Sequence, residues 1–206
     1  MQFFLILNQK TNKLMSNIWD KISYRLAKLN LFIYKPRMLS YNRNFQKEKV
    51  VGLRIGNTTF VDSPKNLITE DFVYIGHHNF IEASNTIKIG KGCQITSFVS
   101  LTSHSSHQSI RLYGSHYTKV SEHIGYEKGP IEIGAFSFVG PFSVIMPNTK
   151  IGKGCVIAAH SYVKGEFPDY SIISGNPAKI VGDTREKDEV YLESHPELQK
   201  YYMSEQ

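Results

Sequence analysis

The sequence predicts an all-β core wound as a parallel β-helix, and three observations carry that prediction. Six hexapeptides run without a gap from Ile133 to Val163, anchored at Ile133, Val139, Ile145, Ile151, Ile157 and Val163. Four places after five of these anchors stands a small residue (Ser137, Ser143, Thr149, Cys155, Ser161), and Gly134, Gly140 and Gly152 follow their anchors directly. The same rhythm runs upstream through Ile55, Val61, Leu67 and Val73, then Ile75, Ile81 and Ile87, then Ile89, Ile95 and Leu101. A period of six fits neither the 3.6 of a helix nor the 2 of a half-buried strand. It marks a solenoid in which each hexapeptide supplies one short strand and one corner.

At three hexapeptides per coil the anchors make about five coils, a prism roughly 20 Å tall. Val73/Ile75, Ile87/Ile89 and Ile131/Ile133 read as pairs of inward residues on single strands. The upstream small slots hold Thr59, Asn79, Asn85, Cys93 and Val99, and the two asparagines read as structural. Cys93 and Cys155 are the only cysteines; both read as buried small side chains, with no disulfide framework or metal cluster.

Ahead of the repeat, residues 1–50 form a basic arm with a charge balance of +8, against −2 for the remainder. From Thr11 to Ile33 the spacing predicts an amphipathic helix: Leu14, Ile18, Ile22 and Leu26 make a stripe that Met15, Trp19 and Leu29 widen, flanked by Lys13, Lys21, Arg25 and Lys28. Such a face packs on protein or lies on anionic lipid, so residues 1–35 are a candidate peripheral membrane contact. Pro36 ends the arm and a polar linker is expected up to Val51. No apolar run is long enough to span a membrane, and Met1–Asn8 lacks a charged leader and cleavage site, so the expected compartment is the cytoplasm or the inner face of its membrane. No nucleic-acid-reading module accompanies the basic arm, and no nucleic-acid partner is expected.

The β-helix domain is expected over 51–182, interrupted between Leu101 and Ile131 by a polar loop, 102–130, rich in His, Ser, Tyr and Gly. A solenoid admits such a loop only at a corner, and a loop of that length is usually functional. The tail, 183–206, reads as a helix from Asp183 to about Ser194, with Asp183 as N-cap and Glu186 at the capping-box position, then a second short helix after Pro196.

One stretch of the chain adds a family resemblance. Ile95-Thr96-Ser97-Phe98-Val99-Ser100-Leu101 leads into Thr102-Ser103-His104-Ser105-Ser106-His107, and Ser174-Gly175-Asn176-Pro177-Ala178-Lys179 closes the repeat. With these motifs the chain resembles, from Ile75 to Val181, the hexapeptide-repeat acyltransferases, in particular the sugar O-acetyltransferases related to galactoside and maltose acetyltransferases and to capsule or lipopolysaccharide O-acetyltransferases. The resemblance implies a left-handed coil, a homotrimer with active sites between subunits, and direct acetyl transfer from acetyl-CoA to a carbohydrate hydroxyl, with no cysteine nucleophile.

It also implies residue roles. His104 falls at the place of the general base, whose pKa suits proton transfer near neutrality. The rival in the loop is His107, and Glu82 falls where relatives contact the acceptor sugar; it reads equally as orienting His104 or as a solvated corner residue. Gly140, Pro141, Ala158, Ala159 and Ser161 match positions lining the pantetheine cleft, with Phe138 as an aromatic wall. Lys164 and Lys179 match cations facing the CoA phosphates. His77 and His78, at the turn after Ile75, are candidates to reach the acceptor and read equally as polar surface; His160 is a candidate for the CoA cleft; His116 and His123 read as solvated loop residues. The alternatives are N-acetylation of an amino sugar, a metal-dependent hydratase of the γ-carbonic-anhydrase type, and a non-catalytic β-helix.

Overall fold

The structure, a computed structural model, describes residues 18–33 and 35–202 in full and the backbone of 2–17 and 203–204. It divides into two compact units, 1–37 and 38–206. The first contains one helix, Gln2–Ile33, which starts earlier than the apolar stripe suggests. The side chains of Leu14, Met15 and Lys13 lie outside the described residues.

In the second unit the chain visits three parallel sheets in turn. Face A stacks the strands Lys49–Gly56, Tyr74–Ile75, Gln94–Ile95, Phe138–Val139, Val156–Ile157 and Ser171–Gly175. Face B stacks Phe60–Asp62, Phe80–Glu82, Ser100–Thr102, Val144–Ile145 and Tyr162–Val163. Face C stacks Leu67–Thr69, Ile87–Ile89, Ile131–Ile133, Thr149–Ile151 and Glu166–Phe167. This is the path of a parallel β-helix.

Register puts each anchor on its equivalent one coil away. On face A the column is Ile55, Ile75, Ile95, Val139, Ile157 and Ile173. On face B it is Val61, Ile81, Leu101, Ile145 and Val163. Nearly all of these side chains are fully buried, and they form one core. The inward pairs on Ile87–Ile89 and Ile131–Ile133 are as expected. Val73 differs: it precedes the strand Tyr74–Ile75, and its carbonyl accepts from Arg54 as those of Cys93, Ser137 and Cys155 accept from Tyr74, Gln94 and Phe138. It fills the small-residue slot with a valine.

Two edges of the prism turn corners in different ways. Between faces C and A, Gly52, Phe72, Gly92, Phe136, Gly154 and Tyr170 succeed one another coil by coil, all at positive φ. Each ring lies on the glycine beneath it. A Cβ on Gly92 would sit 2.5 Å from the Phe136 ring, so the alternation is a packing requirement. Between faces A and B, the rings of His78, Phe98, Phe142 and His160, also at positive φ, stack continuously with centroids 5.0 Å apart.

The stretch read as a polar linker is part of this unit. Met38–Arg43 pairs antiparallel with Lys49–Gly56 and covers the first coil's edge. Asn44 makes the turn, its Oδ1 accepting from the amides of Gln46 and Glu48, with Lys47 at φ 67°. The unit therefore begins at Met38 rather than Val51, because a side-chain-built turn substitutes for the glycine that would have advertised it. At the other end Ala178–Asp183 pairs antiparallel with Ser171–Gly175. Asp183 then caps the helix Thr184–Ser194 by accepting from the Arg185 amide, and Gln199–Ser204 follows as a short helix.

Ile145 has no exposed surface. Ile145→Ala should cost about 2–5 kcal/mol through lost burial and a residual cavity. Lys150→Ala, on the outer wall, should change stability by less than about 0.5 kcal/mol. Denaturant midpoints at unchanged slope measure both.

Candidate active site

The third edge, between faces B and C, is broken by the excursion. Its two ends meet: Ser103 O accepts from the Gly129 amide at 3.0 Å, and His104–Ser105 pairs antiparallel with Glu127–Lys128. Asn85 ties this neck to the coil below, donating through Nδ2 to Ser103 O and through its amide to Ser103 Oγ. Beyond the neck lie the short helix Ser109–Tyr113 and the 3-10 turn Gly114–Lys119.

Where the neck leaves the coil, a carboxylate is buried beneath an imidazole. Glu82 is 4% exposed, and its Oε2 lies 2.7 Å from His104 Nδ1. Its Oε1 accepts from the Ser84 amide at 2.7 Å. Its Oε2 also accepts from Ser103 N at 3.1 Å and Ser103 Oγ at 3.0 Å. Burial alone pushes the Glu82 carboxyl up, but hydrogen bonds from Ser84 and Ser103 and the nearby His104 outweigh it, and its pKa lies below the ordinary value. Glu82 is therefore a carboxylate, able only to accept. The hydrogen between it and the imidazole belongs to Nδ1, which leaves Nε2 with a lone pair in the neutral ring. Ser84 Oγ stands 3.2 Å from the same Nδ1, and Tyr126 lies flat on the ring, centroids 5.5 Å apart and 12° from parallel. Among the described residues Nε2 has no protein partner. The arrangement is that of a proton acceptor held in one tautomer and one orientation.

The other sequence candidates fall elsewhere. Glu82 is not a solvated corner residue; it is buried, with its carboxylate turned to His104 and Ser103. His107 is exposed, its Nδ1 2.9 Å from Ser105 Oγ. His123 is no solvated loop residue: Nε2 meets Tyr117 O at 2.7 Å and its ring stacks on Tyr117, a contact within the excursion. His77 and His78 lie on the A/B edge, His77 Nδ1 being 3.2 Å from Thr58 Oγ1, and His160 ends the ring stack there. Phe138 lies on the outer wall of face A, 37% exposed.

Gly140, Pro141, Ala158, Ala159 and Ser161 also belong to the A/B edge, between the strands Phe138–Val139 and Val144–Ile145 and between Val156–Ile157 and Tyr162–Val163. Within one chain they and His104 occupy different edges of the prism. Gly140 is required by stacking, since a Cβ there would sit 2.6 Å from Ala159 N. Ser161 is buried and its hydroxyl donates to Ala158 O, so its side chain faces the core and not a cleft. Lys164 Nζ is 2.8 Å from both carboxylate oxygens of Glu127 at the neck. Lys179 is exposed on the terminal hairpin. Ser84, Ser103 and Tyr126 were not singled out in the sequence. The serines are ordinary corner residues by composition, and Tyr126 reaches His104 only because the neck closes.

A three-faced coil built on hexapeptides thus carries a histidine site at its one broken edge. Residues 130–165 match the bacterial transferase hexapeptide, six repeats. A putative lipopolysaccharide biosynthesis O-acetyl transferase of Escherichia coli is 28% identical over 168 residues, 76% of this chain and 78% of its own length. A probable acetyltransferase of Mycobacterium tuberculosis is 44% identical over 57 residues, where this chain spans only 19% of the relative's length. Among solved structures, a hexapeptide-repeat acetyltransferase of Vibrio cholerae in complex with acetyl coenzyme A superposes with TM-score 0.55 at 20% identity, over 66% of this chain and 69% of that one. The chain thus resembles the hexapeptide-repeat acetyltransferases in repeat, sequence and fold.

Burial pushes the Cys93 thiol up to about 11 and raises that of Cys155 as well. Neither should react with a thiol reagent in the folded protein at neutral pH, and both should react after denaturation, as mass spectrometry of the labelled chain will read. Glu82 has a lowered folded pKa, so its stabilisation is full above the unfolded value and is lost as pH falls through the folded one. The stability difference between wild type and Glu82→Gln should accordingly shrink as pH falls below the ordinary carboxylate range, measured by denaturant titration at each pH.

Proposed function

We propose that the protein is an acetyl-CoA-dependent O-acetyltransferase acting on a carbohydrate hydroxyl, in a surface polysaccharide or its precursor. The observation that carries this reading is the buried Glu82 carboxylate on His104 Nδ1, at the point where the repeat breaks. His104 Nε2 takes the proton of the acceptor hydroxyl as that oxygen attacks the thioester carbonyl. Glu82 fixes the tautomer and balances the imidazolium that forms, and Tyr126 holds the ring plane. The tetrahedral intermediate collapses to the acetyl ester and releases the CoA thiolate, which regains a proton. The buried cysteines play no part, and transfer is direct.

The donor belongs on the A/B edge, along Gly140, Pro141 and Ala159, with Lys179 toward the CoA phosphates. Since that edge and His104 are apart in one chain, the reading requires a second copy to complete each site, as in a homotrimer of left-handed coils with the excursion of 102–130 reaching over the acceptor. The compartment is the one that holds acetyl-CoA, the cytoplasm. The same base serves an amine acceptor, so O- and N-acetylation are separated by product and not by this geometry.

Purified protein incubated with acetyl-CoA and a panel of oligosaccharides and amino sugars, scored by mass spectrometry, should yield an alkali-labile acetyl ester. His104→Ala should lower kcat by about 10²–10⁴-fold, whereas His107→Ala should change it little. Glu82→Gln should lower kcat with the KM for acetyl-CoA nearly unchanged. Wild-type transfer retained in His104→Ala would sink the mechanism.

A further inference from the structure

The helix Gln2–Ile33 carries a surface that acetyl transfer does not use. At 100° per residue, Ile18, Leu29, Ile22, Ile33, Leu26 and Trp19 fall within one arc of about 100°. Each of these six is at least 41% exposed. Lys21, Arg25 and Lys28 line one flank of the arc, and Asp20, on the far side, is the single acid between Ile18 and Ile33. Among the described residues no helix is long and apolar enough to cross a membrane.

We infer that this helix is an interfacial element that docks the protein on an anionic lipid surface, lying in the plane of the headgroups. The apolar arc enters the acyl boundary while the flanking cations meet lipid phosphates. Charge selects this occupant over two others. A second copy of the helix would bring three more cations beside the arc and only its Asp20 against them. A nucleic acid would engage the cations and leave the six apolar side chains bare. An anionic bilayer satisfies both chemistries at once. The inference goes beyond the acetyltransferase reading and does not depend on it.

Trp19, the only tryptophan of the chain, lies within the arc and reports on its surroundings. The test is flotation of the full chain with phosphatidylcholine vesicles, with and without phosphatidylglycerol, in the absence of acceptor and acetyl-CoA, together with Trp19 emission. Flotation and a blue shift are expected only with phosphatidylglycerol, and both should weaken with salt. The triple variant K21E/R25E/K28E should partition about a hundredfold less, at roughly fivefold or more per cation removed. Leu26→Glu should abolish the blue shift while the thermal melt and transfer to a soluble acceptor stay unchanged. Absence of flotation overturns the inference. So does equal, salt-insensitive flotation on phosphatidylcholine alone, or a concentration-dependent blue shift without lipid, which would mark self-association. Because binding is read without substrate, its failure leaves acetyl transfer standing, and the converse holds.

Discussion

The structure depends on one constraint: every wall residue must sit on its counterpart a coil away, at the roughly 4.8 Å spacing of hydrogen-bonded strands. Backbone pairing along the axis leaves few amides to satisfy otherwise, and it makes the core a set of like-on-like columns. The isoleucine column of face A is the plainest case. Corners inherit the same demand. Backbone at positive φ recurs at equivalent places, and what stands there must stack on itself or on nothing. The C/A edge alternates glycine with a ring, and the A/B edge stacks ring on ring. Both keep the spacing while paying the cost of left-handed backbone at non-glycine residues.

That constraint also explains how a floppy-looking polar excursion acquires a rigid root. Inserting 102–130 without disturbing the coil requires its ends to meet at one corner, and the Ser103–Gly129 hydrogen bond marks the meeting. Parallel register places Glu82 directly beneath Thr102, so a side chain turned inward at the end of one strand lies under the neck of the next coil. Burying a carboxylate is costly unless donors surround it. Here the corner supplies Ser84 N, Ser103 N and Ser103 Oγ, and the imidazole completes the set. The pair is positioned by backbone register more than by its own side chains.

These physical origins separate what the sequence revealed from what it hid. A column of identical environments selects identical residue types, so the anchors and the small slots were legible as a period. Val73 was misassigned because an apolar residue in a small slot looks like an anchor. The strand Met38–Arg43 was missed because edge pairing selects for no inward period, and Asn44 makes its turn without glycine. His104 was legible only through the resemblance. Contact with His104 was one of three readings open for Glu82, and the structure brings its carboxylate within 2.7 Å of the ring. Ser84 and Ser103 meet Glu82 as ordinary corner serines that do not stand out by type, and Tyr126 reaches His104 only through closure of the neck, a contact between distant segments that leaves no local pattern.

The prism geometry also bears on why a single chain is insufficient for the proposed chemistry. The B/C edge carries His104, the proposed base, and at its neck Lys164 is held by Glu127 through two short contacts. The A/B edge is an uninterrupted run of corners, with Gly140 and Ala159 in close backbone contact beside the column of stacked rings. A long, narrow donor needs an edge that runs parallel to the axis free of insertions. A base needs a rigid root at an insertion. One edge cannot meet both demands, because an insertion at any corner interrupts that edge. Dividing the tasks between two edges, and joining the edges through a second copy, meets both without breaking the register that holds each coil on the next.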